Sequence, residues 1–307
     1  MPFQRLMRAG SMNYPYILLV FTVLLYAGNI LVGKGINELP PVTISFFRLL
    51  IAFIVLFPLG FRSAWKHRQT FIEYKKPFLL MTLTGVAFFN LILYSALQFT
   101  TASNASVLES VIPAATALLS FFILKEKLLK VQWAGIIISL AGAVWVVMDG
   151  RIWRAFTADW NIGDLIMVGG IICWAVYSIT VKKYLHLFPA YGALLVMTGI
   201  SVVLIIPVVL IEWSVTGFSP EVLVNSPSYF AGLLYLGIFP SFIALLFYNR
   251  AVELLDASRA SVFLNFLPVV TMAGAYLWLG ESISVMQVAG ALLVIFGVTL
   301  TTRAKAH

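Results

Sequence analysis

Charge is scarce in this chain, and that scarcity excludes most soluble folds. Only 10% of its 307 residues are Asp, Glu, Lys or Arg, against 61% that are hydrophobic. A soluble domain averages about 25% charged residues, and a globule of this composition could not cover its own core with polar surface. Mean hydropathy is +0.99. Cysteine is nearly absent: the single Cys173 rules out a disulfide framework and any Cys-based metal spacing. The three histidines, His67, His186 and His307, fall in predicted loops or the tail. No H-E-x-x-H, G-x-S-x-G or P-loop pattern occurs. Catalysis, a metal site and a bound cofactor are therefore not expected.

What the chain has in quantity is long apolar runs. One membrane crossing needs about 20 mostly apolar residues. Ten such runs are predicted, near 15–36, 42–60, 77–99, 102–124, 130–148, 162–184, 190–212, 229–252, 257–279 and 284–302. The first lacks a small-residue cleavage site and leads into further runs, so it is read as a retained helix. The expected fold is all-α and polytopic, with membrane lipid as its surroundings.

The net charge of +8 calls for no nucleic acid, because its distribution explains it. With the N-terminus inside, about 16 Lys and Arg fall in cytoplasmic connections and tails, and about three fall outside (Lys34, Arg151 and Arg154). That asymmetry predicts cytoplasmic termini.

The chain also repeats itself. Sliding Ala96–Val144 onto Ala251–Thr299 without a gap makes about 14 of 49 positions identical, among them Ser103/Ser258, Pro113/Pro268, Thr116/Thr271, Glu126/Glu281, Gln132/Gln287, Gly135/Gly290 and Gly142/Gly297. Earlier in each half, "YAGNILVGKGINELPP" lies over "WAVYSITVKKYLHLFP", which aligns Lys34 with Lys182 and Pro41 with Pro189. Each half, 1–150 and 151–307, then holds five spans. Five is odd, so the second enters the membrane from the opposite face, an inverted repeat of the kind secondary transporters use.

These segments, with "NILVGKGINELPPVTISFFRLLIA" (Asn29–Ala52), "TASNASVLESVIPAATALLSFFILKEKL" (Thr101–Leu128) and its echo "DASRASVFLNFLPVVTMAGAYLWLGESI" (Asp256–Ile283), resemble the drug/metabolite transporter superfamily in its EamA-type ten-helix branch. The family commonly has Trp where this chain has Tyr26, and Trp174 keeps it in the second half. The resemblance implies export from the bacterial cytoplasm through the inner membrane. Within the branch it is closest to exporters of amino acids, notably aromatic ones, and related metabolites. Broad multidrug export is the alternative, and a channel the remoter one. The expected partner is a small-molecule substrate, and the expected state a monomer or weak oligomer.

Helical spacing then nominates the interior. Ser106, Glu109, Pro113, Thr116 and Ser120 share one face of the fourth span; Ser261, Leu264, Pro268 and Thr271 answer them in the ninth. The predicted pocket is Tyr26, Asn29, Asn90, Tyr94, Ser106, Thr116, Trp174, Tyr177, Tyr248, Ser261, Asn265 and Thr271. Pro113 and Pro268 are expected to act as hinges, since proline withdraws a helical hydrogen bond. Lys34 and Lys182 are gate candidates. Glu109, costly inside a membrane, is expected to form an ion pair with Arg48 at matching depth, or to titrate or bind substrate. Only the first copy carries the acid; Leu264 stands opposite.

Overall fold

The computed structural model describes residues 14–125, 127–151, 161–255 and 263–303. Among these the chain is helical apart from its turns. Nine helices are long and apolar enough to cross a membrane, and we number them with one shorter helix in chain order: α1 Tyr14–Gly35, α2 Pro41–Lys66, α3 Lys75–Leu97, α4 Ala102–Leu124, α5 Lys130–Val147, α6 Ile162–Leu187, α7 Ala190–Thr216, α8 Pro227–Tyr248, α9 Leu267–Trp278 and α10 Val285–Thr302. The predicted ninth span, 257–279, begins outside the described residues. Short helices at Arg68–Glu73 and Glu221–Asn225 fill two of the connections.

Local chemistry explains the helix ends. Pro41 opens α2, where its missing N–H costs nothing. The Thr101 hydroxyl caps α4 through the amide of Asn104 at 3.1 Å, and the Asn161 side chain caps α6 through Gly163 at 2.8 Å. Lys125 and Gly280, at matched positions of the two halves, both take left-handed backbone (φ 55° and 68°) to stop α4 and to follow α9.

Winding changes at four places. In α4 the Val111 amide reaches back only three residues, to Leu108, at 3.0 Å; before α9, Phe266 does the same to Phe263 at 3.0 Å. Val111 and Phe266 are matched positions, each two residues before the proline. Pro113 and Pro268 thus stand in the first turn of a fresh helical segment, and they leave the carbonyls of Glu109 and Leu264 without their usual helical donors. In α3, Thr82–Phe88 winds as a π-helix, and in α8, Phe239–Ile243 does so. Sequence patterning missed both π segments.

Packing interlocks the two parts of the chain. α1 lies against α8 and α9, α6 against α3 and α4, α2 along α7, and α5 along α10. The α5–α10 seam is closed by glycine. A Cβ at Gly135 would lie 2.6 Å from the Gly297 carbonyl, and one at Gly297 would lie 2.4 Å from the Ser139 amide; Gly142 and Gly290 approach each other in the same way. Backbone meets backbone there, as small residues permit between membrane helices.

Candidate functional site

Four spans meet at Arg48, which is only 7% exposed. Its Nε donates to Ser241 Oγ at 2.9 Å, and its Nη1 donates to Asn29 Oδ1 at 2.9 Å and to the Tyr94 hydroxyl. Tyr94 in turn donates to Asn29 Oδ1 at 3.0 Å, and Ser241 donates to the Leu236 carbonyl at 2.8 Å, inside the winding change of α8. The guanidinium also lies 5.7 Å from the centre of the Tyr94 ring. A buried cation needs such partners to offset its lost hydration.

This corrects the expected ion pair. No hydrogen bond or ion pair among the described residues joins Arg48 to Glu109; the arginine's Nε and Nη1 bond to α1, α3 and α8. One Glu109 oxygen, Oε2, is buried with no hydrogen-bond partner. The two charges remain within electrostatic reach of each other. Asn29 and Tyr94, expected to line the pocket, instead hold Arg48, and Tyr94 is wholly covered.

Around Glu109 the side chains are different. Tyr26 lies within electrostatic reach of Glu109, Arg48, Tyr177 and Tyr248, so residues of α1, α2, α4, α6 and α8 converge. Tyr26, Glu109, Thr116, Trp174, Tyr177 and Tyr248 are each only half-buried. Side chains that meet inside a bundle while keeping surface uncovered mark a candidate place for a small ligand. One wall of this cluster continues through Trp174, whose ring centre is 5.0 Å from that of Tyr177 and 4.4 Å from that of Phe89. Gly85 makes room for this wall: a Cβ there would lie 2.3 Å from the Tyr177 ring. The hydroxyls of Thr116 and Thr271, a matched pair, are buried without partners.

The other expected pocket residues are engaged elsewhere. Asn90 gives its amide to the Val86 carbonyl at 2.7 Å, and Ser106 its hydroxyl to Ser103 at 2.8 Å. Asn265 reaches Thr299 of α10 at 3.2 Å and so joins two helices. In each case the nearest acceptor in the fold competed successfully for the polar group. Ser261 lies outside the described residues. Two aliphatic grooves, one between α9 and α10 and one among α4, α5 and α6, are separate openings.

One end of the bundle is laced shut. It carries the α1–α2, α3–α4, α7–α8 and α9–α10 connections; it is termed the outer end below, after the orientation expected from the charge count. Lys34 donates to the carbonyls of Leu97 and Thr100, both at 2.7 Å, at the close of α3. Glu281 accepts from the amides of Ala102 and Ser103 at 2.7 and 3.2 Å and from the Ser103 hydroxyl at 2.7 Å, capping α4. Glu212 caps α2 in the same way through Val42 and Thr43. Asp164 accepts from Thr100 and Asn104. Lys34 was expected at a gate on sequence grounds; Glu212 and Glu281 were not, because each acts on residues about 170–180 positions away. Lys182 lies exposed in the last turn of its helix, at the other end.

A test of this closure follows. Glu281→Ala removes the two carboxylate oxygens that accept three hydrogen bonds at the start of α4, where a lost cap costs about 0.5–2 kcal/mol. With Cys173 replaced and one cysteine placed at Thr116, a membrane-impermeant maleimide added from the outer side should label on the order of tenfold faster than without the change. Equal labelling would show that Glu281 does not hold the end shut.

A bundle of apolar spans around a half-open polar interior, closed at one end by polar side chains, is built as a membrane transport protein. The chain belongs to the EamA-like transporter family, whose model matches residues 13–148 and 161–303. It is 30% identical to "Uncharacterized transporter YyaM" of Bacillus subtilis (strain 168) over 246 residues, which cover 80% of this chain and 77% of that one. An "Uncharacterized transporter" of Archaeoglobus fulgidus is 29% identical over 95% of this chain and 98% of its own. The "Probable terminal-alkyne amino-acid exporter" of Streptantibioticus cattleyicolor is 25% identical over 93% and 92%. A crystal structure superposes with a TM-score of 0.64 at 18% identity, covering 95% of this chain and 98% of that one, and so shares the fold.

Proposed function

We infer that the protein is a secondary transporter that exports amino acids with aromatic or hydrophobic side chains, and kindred small metabolites, by alternating access. The observation that carries this reading is the half-open cluster of Tyr26, Glu109, Trp174, Tyr177 and Tyr248. Rings supply apolar contact, and a few fixed polar groups orient a small ligand. The amino-acid exporter of Streptantibioticus cattleyicolor supports the substrate class.

The alternation rests on two inverted halves, 1–150 and 151–307. Supporting it are the two segments matched by the family model and features that recur at matched positions: the shortened turns at Val111 and Phe266, the π-helices of α3 and α8, and the crossed glycine contacts Gly135–Gly297 and Gly142–Gly290. Such crossed pairing, i with j′ and j with i′, is what a twofold axis produces. In this reading the protein sits in the bacterial inner membrane with both termini in the cytoplasm, and the laced outer end makes this the state closed to the outside.

The test is counterflow in proteoliposomes across an amino-acid panel. Saturable exchange of Phe, Tyr, Trp or Leu is expected. Flux that never saturates would mean a channel, and exchange of lipophilic dyes but no amino acid would mean a multidrug exporter.

A further inference from the structure

The carboxylates of Asp164, Glu212 and Glu281, in α6, α7 and the α9–α10 connection, all have donors: Asp164 from Thr100 and Asn104, Glu212 from Val42 and Thr43, Glu281 from Ala102 and Ser103. Glu109 differs. Among the described residues its Oε2 is the buried carboxylate oxygen that lacks one. A carboxylate in a membrane interior is costly unless a donor or counter-ion meets it. The nearby counter-ion makes no hydrogen bond to it among the described residues; Arg48 directs its Nε and Nη1 to Ser241, Asn29 and Tyr94.

The groups beside Glu109 are short of donors too. Pro113 leaves the Glu109 carbonyl without its helical N–H, which puts a second acceptor on the same residue. Thr116 lies two turns on, on the same face, with its hydroxyl unpartnered. Tyr26 lies within electrostatic reach of Glu109, and Tyr177 and Tyr248 within reach of Tyr26; aromatic rings gathered near a carboxylate favour a cation. Acceptors, π faces and one negative charge together ask for a compact cation rich in N–H.

We propose that Glu109 is the seat of the substrate's amino group, a primary ammonium bonded to the Glu109 carboxylate and walled by Tyr26, Tyr177 and Tyr248. This rests on the amino-acid reading above and sharpens it. It also accounts for the asymmetry between the halves. A substrate with one ammonium needs one carboxylate, so Leu264, at the position matched to Glu109, is free to be apolar. Arg48 is a fixed positive neighbour within electrostatic reach of the carboxylate.

The experiment uses the full chain in proteoliposomes and three analogues competing with L-phenylalanine counterflow: 2-phenylethylamine, which keeps the amine; 3-phenylpropanoate, which lacks it; and N-acetyl-L-phenylalanine, which neutralises it. Binding of each is measured in parallel by calorimetry. 2-Phenylethylamine should compete within about threefold of phenylalanine, and the other two at least about tenfold more weakly, the discrimination expected of a charge-assisted hydrogen bond. Glu109→Gln should raise KM for phenylalanine at least about tenfold and keep the melting temperature of the unaltered protein. Equal competition by 3-phenylpropanoate, with an unchanged KM in Glu109→Gln, overturns the ammonium site and leaves the amino-acid exporter standing. Glu109-dependent binding of 2-phenylethylamine without any amino-acid exchange upholds the site and overturns the exporter. Failure of both phenylalanine and 2-phenylethylamine to bind at millimolar concentration overturns both.

Discussion

Gly297→Leu should destroy the α5–α10 seam and with it most of the folded protein. A Cβ at this position already falls 2.4 Å from the Ser139 amide and 2.6 Å from the Gly135 carbonyl. Those are backbone atoms of a neighbouring helix and cannot rotate away. The helices would have to separate along their length, which also undoes the contact between Gly142 and Gly290. Overpacking a well-filled interior costs about 1–3 kcal/mol and more where backbone blocks relaxation; about 3 kcal/mol or more is expected here. The measurement is the yield of monodisperse protein in detergent together with its apparent melting temperature. Gly169→Ala is the control: nothing lies within 4 Å of an added Cβ there, so its stability should hold within about 0.5 kcal/mol. A Gly297→Leu protein with normal yield and melting would show that α5 and α10 do not pack through their glycines.

Arg48→Leu should be nearly as severe. It removes three hydrogen bonds, leaving Asn29 Oδ1 with Tyr94 alone and Ser241 Oγ without its donor. A buried hydrogen bond to a charged group contributes about 1.5–3 kcal/mol. Arg48→Lys should recover only part of this, because an ammonium cannot span Ser241 on one side and Asn29 with Tyr94 on the other as the planar fork does. The partner matters more than the charge. In a double-mutant cycle Arg48 should couple strongly to Asn29 and weakly to Glu109. Strong coupling to Glu109 alone would restore the direct ion pair expected from depth in the membrane.

Much of the fold was legible in the sequence because the membrane sets a coarse rule. About 20 apolar residues must stand together, and runs such as Tyr14–Gly35 and Ala190–Thr216 satisfy it without reference to the rest of the chain. Proline is equally local in its effect, so the weakened turns before Pro113 and Pro268 could be anticipated. The π-helices of α3 and α8 could not, because an extra residue in a turn leaves no mark on composition. The site was half legible. Tyr26, Glu109, Trp174 and Tyr177 were nominated by helical facing, and they converge. Asn29, Asn90, Tyr94, Ser106 and Asn265 share those faces too, yet each is drawn to a neighbour's acceptor or, for Asn29, to a cation. Facing says where a side chain starts and says nothing of which partner wins. Ser241 and Glu281 serve residues 193 and 179 positions away, and no local pattern carries information of that kind.

The lacing of the outer end has a consequence for turnover. Lys34 and Glu281 are set against opposite ends of neighbouring helices: the lysine on carbonyls that finish α3, the glutamate on amides that begin α4. Each meets roughly half an elementary charge rather than a whole one. A clasp of this kind is strong enough to hold and cheap to release, because water can take over both the side chain and the helix end when they part. Lys34 and Glu281 also lie within electrostatic reach of each other, but neither is locked into a hydrogen-bonded ion pair among the described residues. Under the proposed alternating access, such a fastening could open and reclose in every cycle without tearing a close salt bridge apart.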